Sequence, residues 1–126
     1  MVVLDANVII AAIDQTDAHH EVIKRFLSCA EDDFGVPALT LAEALVVPVR
    51  LGLAERTRAD LSSSGVRELP CDQVGALDLA RLRATTGLRM PDCLVLTFAM
   101  AFDAKLATTD QRLAREASRA GVELAL

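Results

Sequence analysis

The chain contains neither tryptophan nor tyrosine, and its 3% aromatic content amounts to four phenylalanines in 126 residues. An aromatic platform on which bases stack is therefore excluded, and any bound nucleic acid would be held mainly by its backbone. Cysteines are also few. Cys29, Cys71 and Cys93 are odd in number and far apart, with no CxxC pair and no zinc spacing. That pattern excludes a disulfide framework and predicts reduced, mostly buried thiols. No apolar run approaches the ~20 residues of a membrane-spanning helix. The chain opens directly into an apolar strand, so no signal peptide is expected, and cytoplasmic localisation is the expectation.

Positive charge is in deficit too. Thirteen Lys and Arg stand against eighteen Asp and Glu, for a net charge of −5. Eleven of the thirteen are arginine, the better bidentate phosphate ligand. Acids neutralised by a bound cation would raise the net charge, so composition leaves a nucleic-acid partner open. The 52% hydrophobic content argues against disorder and fits a single domain over residues 1–126 with one full core.

Short apolar segments alternate with helical patterns. Strands are predicted at Val2–Asp5, Phe34–Val36, Val66–Leu69, Lys105–Thr108 and Val122–Leu124. Helices are predicted at Val8–Ile13, from a Thr16 or Asp17 cap to about Ala30, and at Leu39–Val47, where Pro48 ends or kinks the run. Further helices are expected at Leu53–Ser63, Asp72–Thr85, from Pro91 to about Phe102, and Gln111–Ala120. In the second helix the stripe Val22, Ile23, Phe26, Leu27 marks the inward face. Strands alternating with helices imply an α/β fold, a parallel sheet covered on both faces. In such sheets ligands bind beyond the carboxyl ends of the strands.

Four acids stand where an apolar segment meets a turn or helix: Asp5, Glu43, Asp92 and Asp110. Asp5 and Asp110 close predicted strands, Asp92 opens a helix after Pro91, and Glu43 lies within Leu39–Leu45. Ionised carboxylates are seldom buried without compensation. A shared divalent cation would supply it, with Mg²⁺ or Mn²⁺ taking carboxylate oxygens and water as ligands. A water activated on such a cation, with charge stabilised on a phosphoryl oxygen, points to metal-dependent hydrolysis. Taken singly, Asp5 also reads as a turn residue, Asp92 as a helix-dipole acid and Asp110 as an N-cap. Glu43 is the hardest to explain otherwise, because a helix apolar all round would give it no solvent.

At Leu4-Asp5-Ala6-Asn7-Val8, Leu39-Thr40-Leu41-Ala42-Glu43, Pro91-Asp92 and Ala107-Thr108-Thr109-Asp110, the chain resembles the PIN-domain family, most closely the small bacterial VapC-type toxins. The ordered set spans essentially the whole chain. The resemblance implies a three-layer α/β/α fold around a central five-stranded parallel sheet. It also implies Mg²⁺- or Mn²⁺-dependent endoribonuclease activity, as the toxin of a type II toxin–antitoxin pair, with RNA as substrate. A small antitoxin protein would be a partner, and a homodimer is expected. Asp5, Glu43, Asp92 and Asp110 would then be the catalytic, metal-binding acids, and Asn7, Thr40 and Thr108 would support the site or approach substrate. Family members often carry an aromatic residue soon after the last acid, where this chain has Gln111-Arg112-Leu113.

Rival readings stay open on the residues alone. A phosphatase or phosphotransfer enzyme on a similar sheet would end its first strand Asp-x-Asp, and here Asn7 holds the second position. A receiver domain would need an acidic pair there and a lysine ending a later strand, whereas Lys105 opens one. A non-catalytic binding module on the PIN-like fold is the third, against which the presence of all four acids argues. Elsewhere, His19 and His20 read as ordinary first-turn residues, and Met90, Phe98, Met100 and Phe102 as core. Arg112, Arg115 and Arg119 share a helix face, a solvated surface or an RNA-backbone rail. Ala44–Leu53, with one charge in ten residues, reads either as a helix buried all round or as an exposed interface.

Overall fold

In the computed structural model, which describes residues 1–126, the apolar segments without helical periodicity become four very short strands. These are β1 (Val2–Leu4), β2 (Phe34–Pro37), β3 (Val66–Leu69) and β4 (Lys105–Ala107). They pair in the order β3-β2-β1-β4, all parallel, with Val3 level with Gly35 on one side and Leu106 on the other. Successive side chains on β1 point to opposite faces, and each face has its own core. Val2 and Leu4 join Phe34, Val36 and Val66 on one face. There they meet α1 (Ala6–Ile13), α2 (His20–Cys29), α3 (Ala38–Arg50) and α4 (Ala54–Ser63). Val3 joins Leu69 and Leu106 on the other, beneath α5 (Ala76–Thr86), α6 (Met90–Ala101) and α7 (Gln111–Arg119). The result is the expected three-layer α/β/α arrangement, and coverage on both sides explains why the strands read as continuously apolar. No helix is long and apolar enough to cross a membrane.

The chain steps outward from β1 to β2 to β3, then returns to the far side of β1 as β4. That reversal opens a crevice at the carboxyl ends of β1 and β4. The most deeply buried helix, α6, starts beside it. Its Cys93, Leu94, Val95, Leu96, Phe98 and Ala99 are all buried, and a fully buried Phe or Leu contributes about 1.5–3 kcal/mol.

The sheet has four strands, not five. Val122–Leu124 forms a single parallel bridge, Leu124 with Leu106, made by Leu106 N–H to Glu123 O (2.9 Å) and Ala125 N–H to Leu106 O (2.9 Å). One bridge does not make a ladder, so the fifth strand expected at Val122–Leu124 is not formed. Other boundaries shift as well. Residues 71–73 form a single 3-10 turn, and α5 starts at Ala76 with Leu77 exposed, so the helix expected from Asp72 begins later. Helix α3 continues through Pro48 to Arg50: the ring is buried, and Leu51 N–H still reaches Val47 O at 3.1 Å. Of the residues read as core on α6 and after it, Phe98 is buried while Met90, Met100 and Phe102 are exposed. Cys93 is buried, whereas Cys29 is exposed and Cys71 half-buried.

Candidate active site

Asp5 follows β1 and caps α1. Its Oδ1 accepts the Ala6 N–H at 2.8 Å, a local bond that turns the chain from strand into helix. Asp110 caps α7 in the same manner, its Oδ1 accepting the N–H groups of Arg112 (2.8 Å) and Leu113 (3.2 Å). One hydroxyl joins the two caps. Thr108 Oγ1 donates to Asp5 Oδ2 at 2.8 Å and accepts the Asp110 N–H at 3.0 Å. Beneath it, the Asp5 N–H bonds Ala107 O at 3.0 Å and extends the β1–β4 ladder to the crevice. Asp92, in the first turn of α6, has a side chain 12% exposed, with Arg89 Nε 3.8 Å from its Oδ2.

The three aspartates lie within one another's electrostatic reach. Burial pushes the Asp5 carboxyl above the ordinary carboxylate value, against the pull of its bonds from Thr108 and Ala6, and the charges of Asp92 and Asp110 push it further up. Burial likewise raises Asp92; Arg89 and Arg112 oppose that shift, and Asp110 adds to it. Both shifts have the physical cause expected of carboxylates drawn out of water beside like charges.

Glu43 stands apart. It is exposed on α3, so the expectation of an acid sealed inside an all-apolar helix is overturned: α3 has an open face. Glu43 lines a cleft of about 450 Å³ with Thr40, Leu39, Val46, Met90, Pro91 and Leu94, which runs from α3 to the residue preceding Asp92. Thr40 is buried in that cleft wall and Asn7 is exposed on the first turn of α1. A larger cleft of about 600 Å³, between α1, α2 and α4, contains none of the four acids.

No three His, Cys, Asp or Glu side chains stand close enough to enclose a metal ion. The donor set nonetheless suits Mg²⁺ or Mn²⁺. These ions take hard oxygen ligands, keep several waters and are typically held by one or two carboxylates. Asp5 and Asp92, buried and mutually repelling, would be relieved by such a charge.

Of the two cations beside the pocket, Arg89 escaped the sequence reading, and Arg112 was read only as part of a helix face, not as a neighbour of the acids. The signal was present, since Arg89 precedes Asp92 by three residues and Arg112 follows Asp110 by two. Arg112 Nη2 donates to Gly87 O at 3.1 Å and Arg119 Nη1 to Glu116 Oε1 at 2.6 Å. Those bonds break up a rail of three free arginines along α7. Lys105 lies at the opposite end of β4 from the aspartates, 3.4 Å from Glu123. That placement removes the lysine a receiver domain would need beside its acids. His20 is buried and donates from Nδ1 to Ala11 O at 2.7 Å, a link between α1 and α2.

The PIN domain family model matches residues 2–118. No curated protein is a significant match to the chain. Among solved structures, a toxin–antitoxin complex from Klebsiella pneumoniae superposes with a TM-score of 0.74 at 22% identity, over 87% of each chain. VapC20 of Mycobacterium tuberculosis, described as a sarcin-ricin loop cleaving toxin, gives 0.72 at 14% identity, over 92% of this chain and 95% of that one. VapBC2 from Rickettsia felis, bound to a fragment of its promoter DNA, gives 0.67 at 18% identity over 98% and 97%. At such identities these structures share the fold. With a match across nearly its whole length, the chain belongs to the PIN-domain family.

Proposed function

We propose that the protein is a metal-dependent endoribonuclease and the toxin of a toxin–antitoxin pair. The observation that carries this reading is the single hydroxyl of Thr108 binding the caps of two strand ends, which brings Asp5 and Asp110 together within electrostatic reach of Asp92. In this reading Asp5 and Asp92 would hold Mg²⁺ or Mn²⁺, with Asp110 beside them at the α7 cap and Glu43 approaching across the α3–α6 cleft. When bound, the ion supplies water activation and charge stabilisation on a phosphoryl oxygen. Thr108 fixes the rotamer of Asp5 by donating to Oδ2 while the Ala6 N–H donates to Oδ1, so each oxygen would offer its remaining lone pair for ligation. Asn7, exposed beside Asp5, would meet the RNA backbone, and Thr40, buried in the cleft wall with Glu43, would support the site.

Membership of the PIN family and the likeness to toxin–antitoxin structures support the toxin role. The partner surface lies on α3 and the turn after it, where Val46, Val47, Val49, Leu51 and Leu53 are all exposed. An apolar face of this size on so small a domain supports a protein partner, a second copy or a small antitoxin.

The test is cleavage of single-stranded RNA with Mg²⁺ or Mn²⁺ and with EDTA. Activity should vanish in EDTA and fall by about 10³-fold or more in Asp5→Asn. Glu43→Gln should cost activity but, being an exposed change, leave stability within about 0.5 kcal/mol. Undiminished cleavage in EDTA, or full activity in Asp5→Asn, would sink the reading.

A further inference from the structure

Asp5 and Asp110 are tied to one another through the β1–β4 ladder and Thr108. Asp92 is not part of that frame. It belongs to α6, and the turn Gly87–Arg89 leading into α6 is anchored in the core by the buried Leu88 and oriented by hydrogen bonds on either side of it. Within its own hairpin, Arg83 Nη1 donates to Leu88 O at 2.6 Å, and the Leu88 N–H donates to Thr86 Oγ1 at 3.1 Å. From outside α5 and α6, one hydrogen bond reaches the turn. Arg112 Nη2 donates to Gly87 O, while the backbone N–H of Arg112 is bound by Asp110.

We infer that Arg112 is a positioning residue of the acid site, a strut from the Asp110 cap to the Gly87 turn that sets the gap between the Asp92 and Asp110 carboxylates. Gly87 is shaped for the contact. It caps α5 at φ 68°, in the left-handed region that favours glycine, and a Cβ there would stand 3.2 Å from Arg112 Nη2. The consequence for metal rests on the nuclease reading above; the strut itself does not.

A guanidinium beside carboxylates repels a cation, so charge alone makes Arg112 unfavourable to metal binding. Removing it would then tighten binding. A strut predicts the reverse, because a residue that orients ligands typically costs 10- to 100-fold in metal affinity when lost. The experiment uses the full chain and Mn²⁺, with the free-ion paramagnetic resonance signal read at equilibrium. Arg112→Met, which keeps the aliphatic stem, should weaken Mn²⁺ binding about tenfold. Arg112→Lys, able to reach a carbonyl but without the planar fork, should fall between Met and the natural residue. Amide hydrogen exchange in EDTA is the second arm. Residues 87–92 should exchange faster in Arg112→Met, with β1 and β2 unaltered. Binding equal to or tighter than that of the unmodified protein, or unchanged exchange at 87–92, overturns the inference. If the unmodified protein binds no Mn²⁺, the metal-nuclease reading fails, and the exchange arm still decides the strut.

Discussion

Replacing Thr108 by valine keeps the β-branched shape and removes one oxygen that serves two partners. The bond to Asp5 Oδ2 is 2.8 Å long and buried, and the bond from the Asp110 N–H is 3.0 Å. A hydrogen bond to a charged group contributes about 1.5–3 kcal/mol and a neutral one about 1 kcal/mol. The variant should therefore lose about 3 kcal/mol at pH 7.5. In a chain of this length the loss is a fall of roughly 10 °C in Tm. The deficit should also depend on pH. The Thr108 bond holds the Asp5 carboxyl down against burial, so removing it moves the folded-state pKa further above the unfolded value of about 4. A carboxyl raised in the folded state gives stability that is present at low pH and lost as pH rises through the folded pKa. The deficit of Thr108→Val is therefore largest near neutrality. It shrinks by roughly 1 kcal/mol once Asp5 is protonated in both proteins, because the bond to Asp5 is then a neutral one. In an Asp5→Asn background the same substitution should cost about 2 kcal/mol, two neutral bonds, and be flat in pH. Urea unfolding from pH 4 to 8 of the four proteins of this cycle measures each quantity. A deficit below about 0.5 kcal/mol, or one equal in both backgrounds, refutes the coupling between Thr108 and the Asp5 carboxylate.

The pKa shifts themselves set a second expectation. Asp5 and Asp92 are both raised, so metal-free protein should lose stability as pH climbs from about 4 through their folded pKa values. Asp5→Asn or Asp92→Asn should remove part of that slope and stabilise metal-free protein by up to about 1 kcal/mol at pH 7.5. Midpoints clearly lower for both variants would mean that the carboxylates are structural. The exposed face of α3 sets a third. Val49→Lys with Leu51→Lys, at positions 62% and 66% exposed, should leave stability within about 0.5 kcal/mol per site and abolish self-association or antitoxin capture. Light scattering that shows the unmodified protein monomeric at high micromolar concentration, and indifferent to any such partner, refutes it.

What the sequence disclosed depended on whether a residue's surroundings were local. The caps Asp5 and Asp110 were legible because an acid closing an apolar strand and opening a helix defines its own backbone bonds within three residues. The parallel sheet was legible because strands buried on both faces carry no alternation to confuse them. Glu43 misled because α3 is rich in Ala, Leu and Val on every side, and a helical pattern without polar contrast cannot reveal which face the sheet leaves open. Met90, Met100 and Phe102 misled for the same reason. Pro48 marks the end of a helix in an average setting. Here the ring is buried and two further residues complete the turn, a tertiary gain that local propensity does not contain. The tie between Arg112 and Gly87 spans 25 residues, beyond the range at which spacing alone carries meaning.

The bond between Thr108 and Asp5 spans 103 residues, and this bears on how the molecule comes into being. During synthesis β1, β2 and β3 emerge first and can pair in sequence, each with its immediate predecessor. The other edge of β1 must wait for residues 105–107, after more than four-fifths of the chain. Long loop closure is the slow, entropically costly step in such topologies. The carboxylate pocket is therefore among the last features to form, and a nascent or truncated chain lacking β4 carries Asp5, Glu43 and Asp92 without the partner that aligns them. Because α6 and α7 cover a core separate from that of α1–α4, loosening the late-arriving half would dismantle the pocket before the early half gave way.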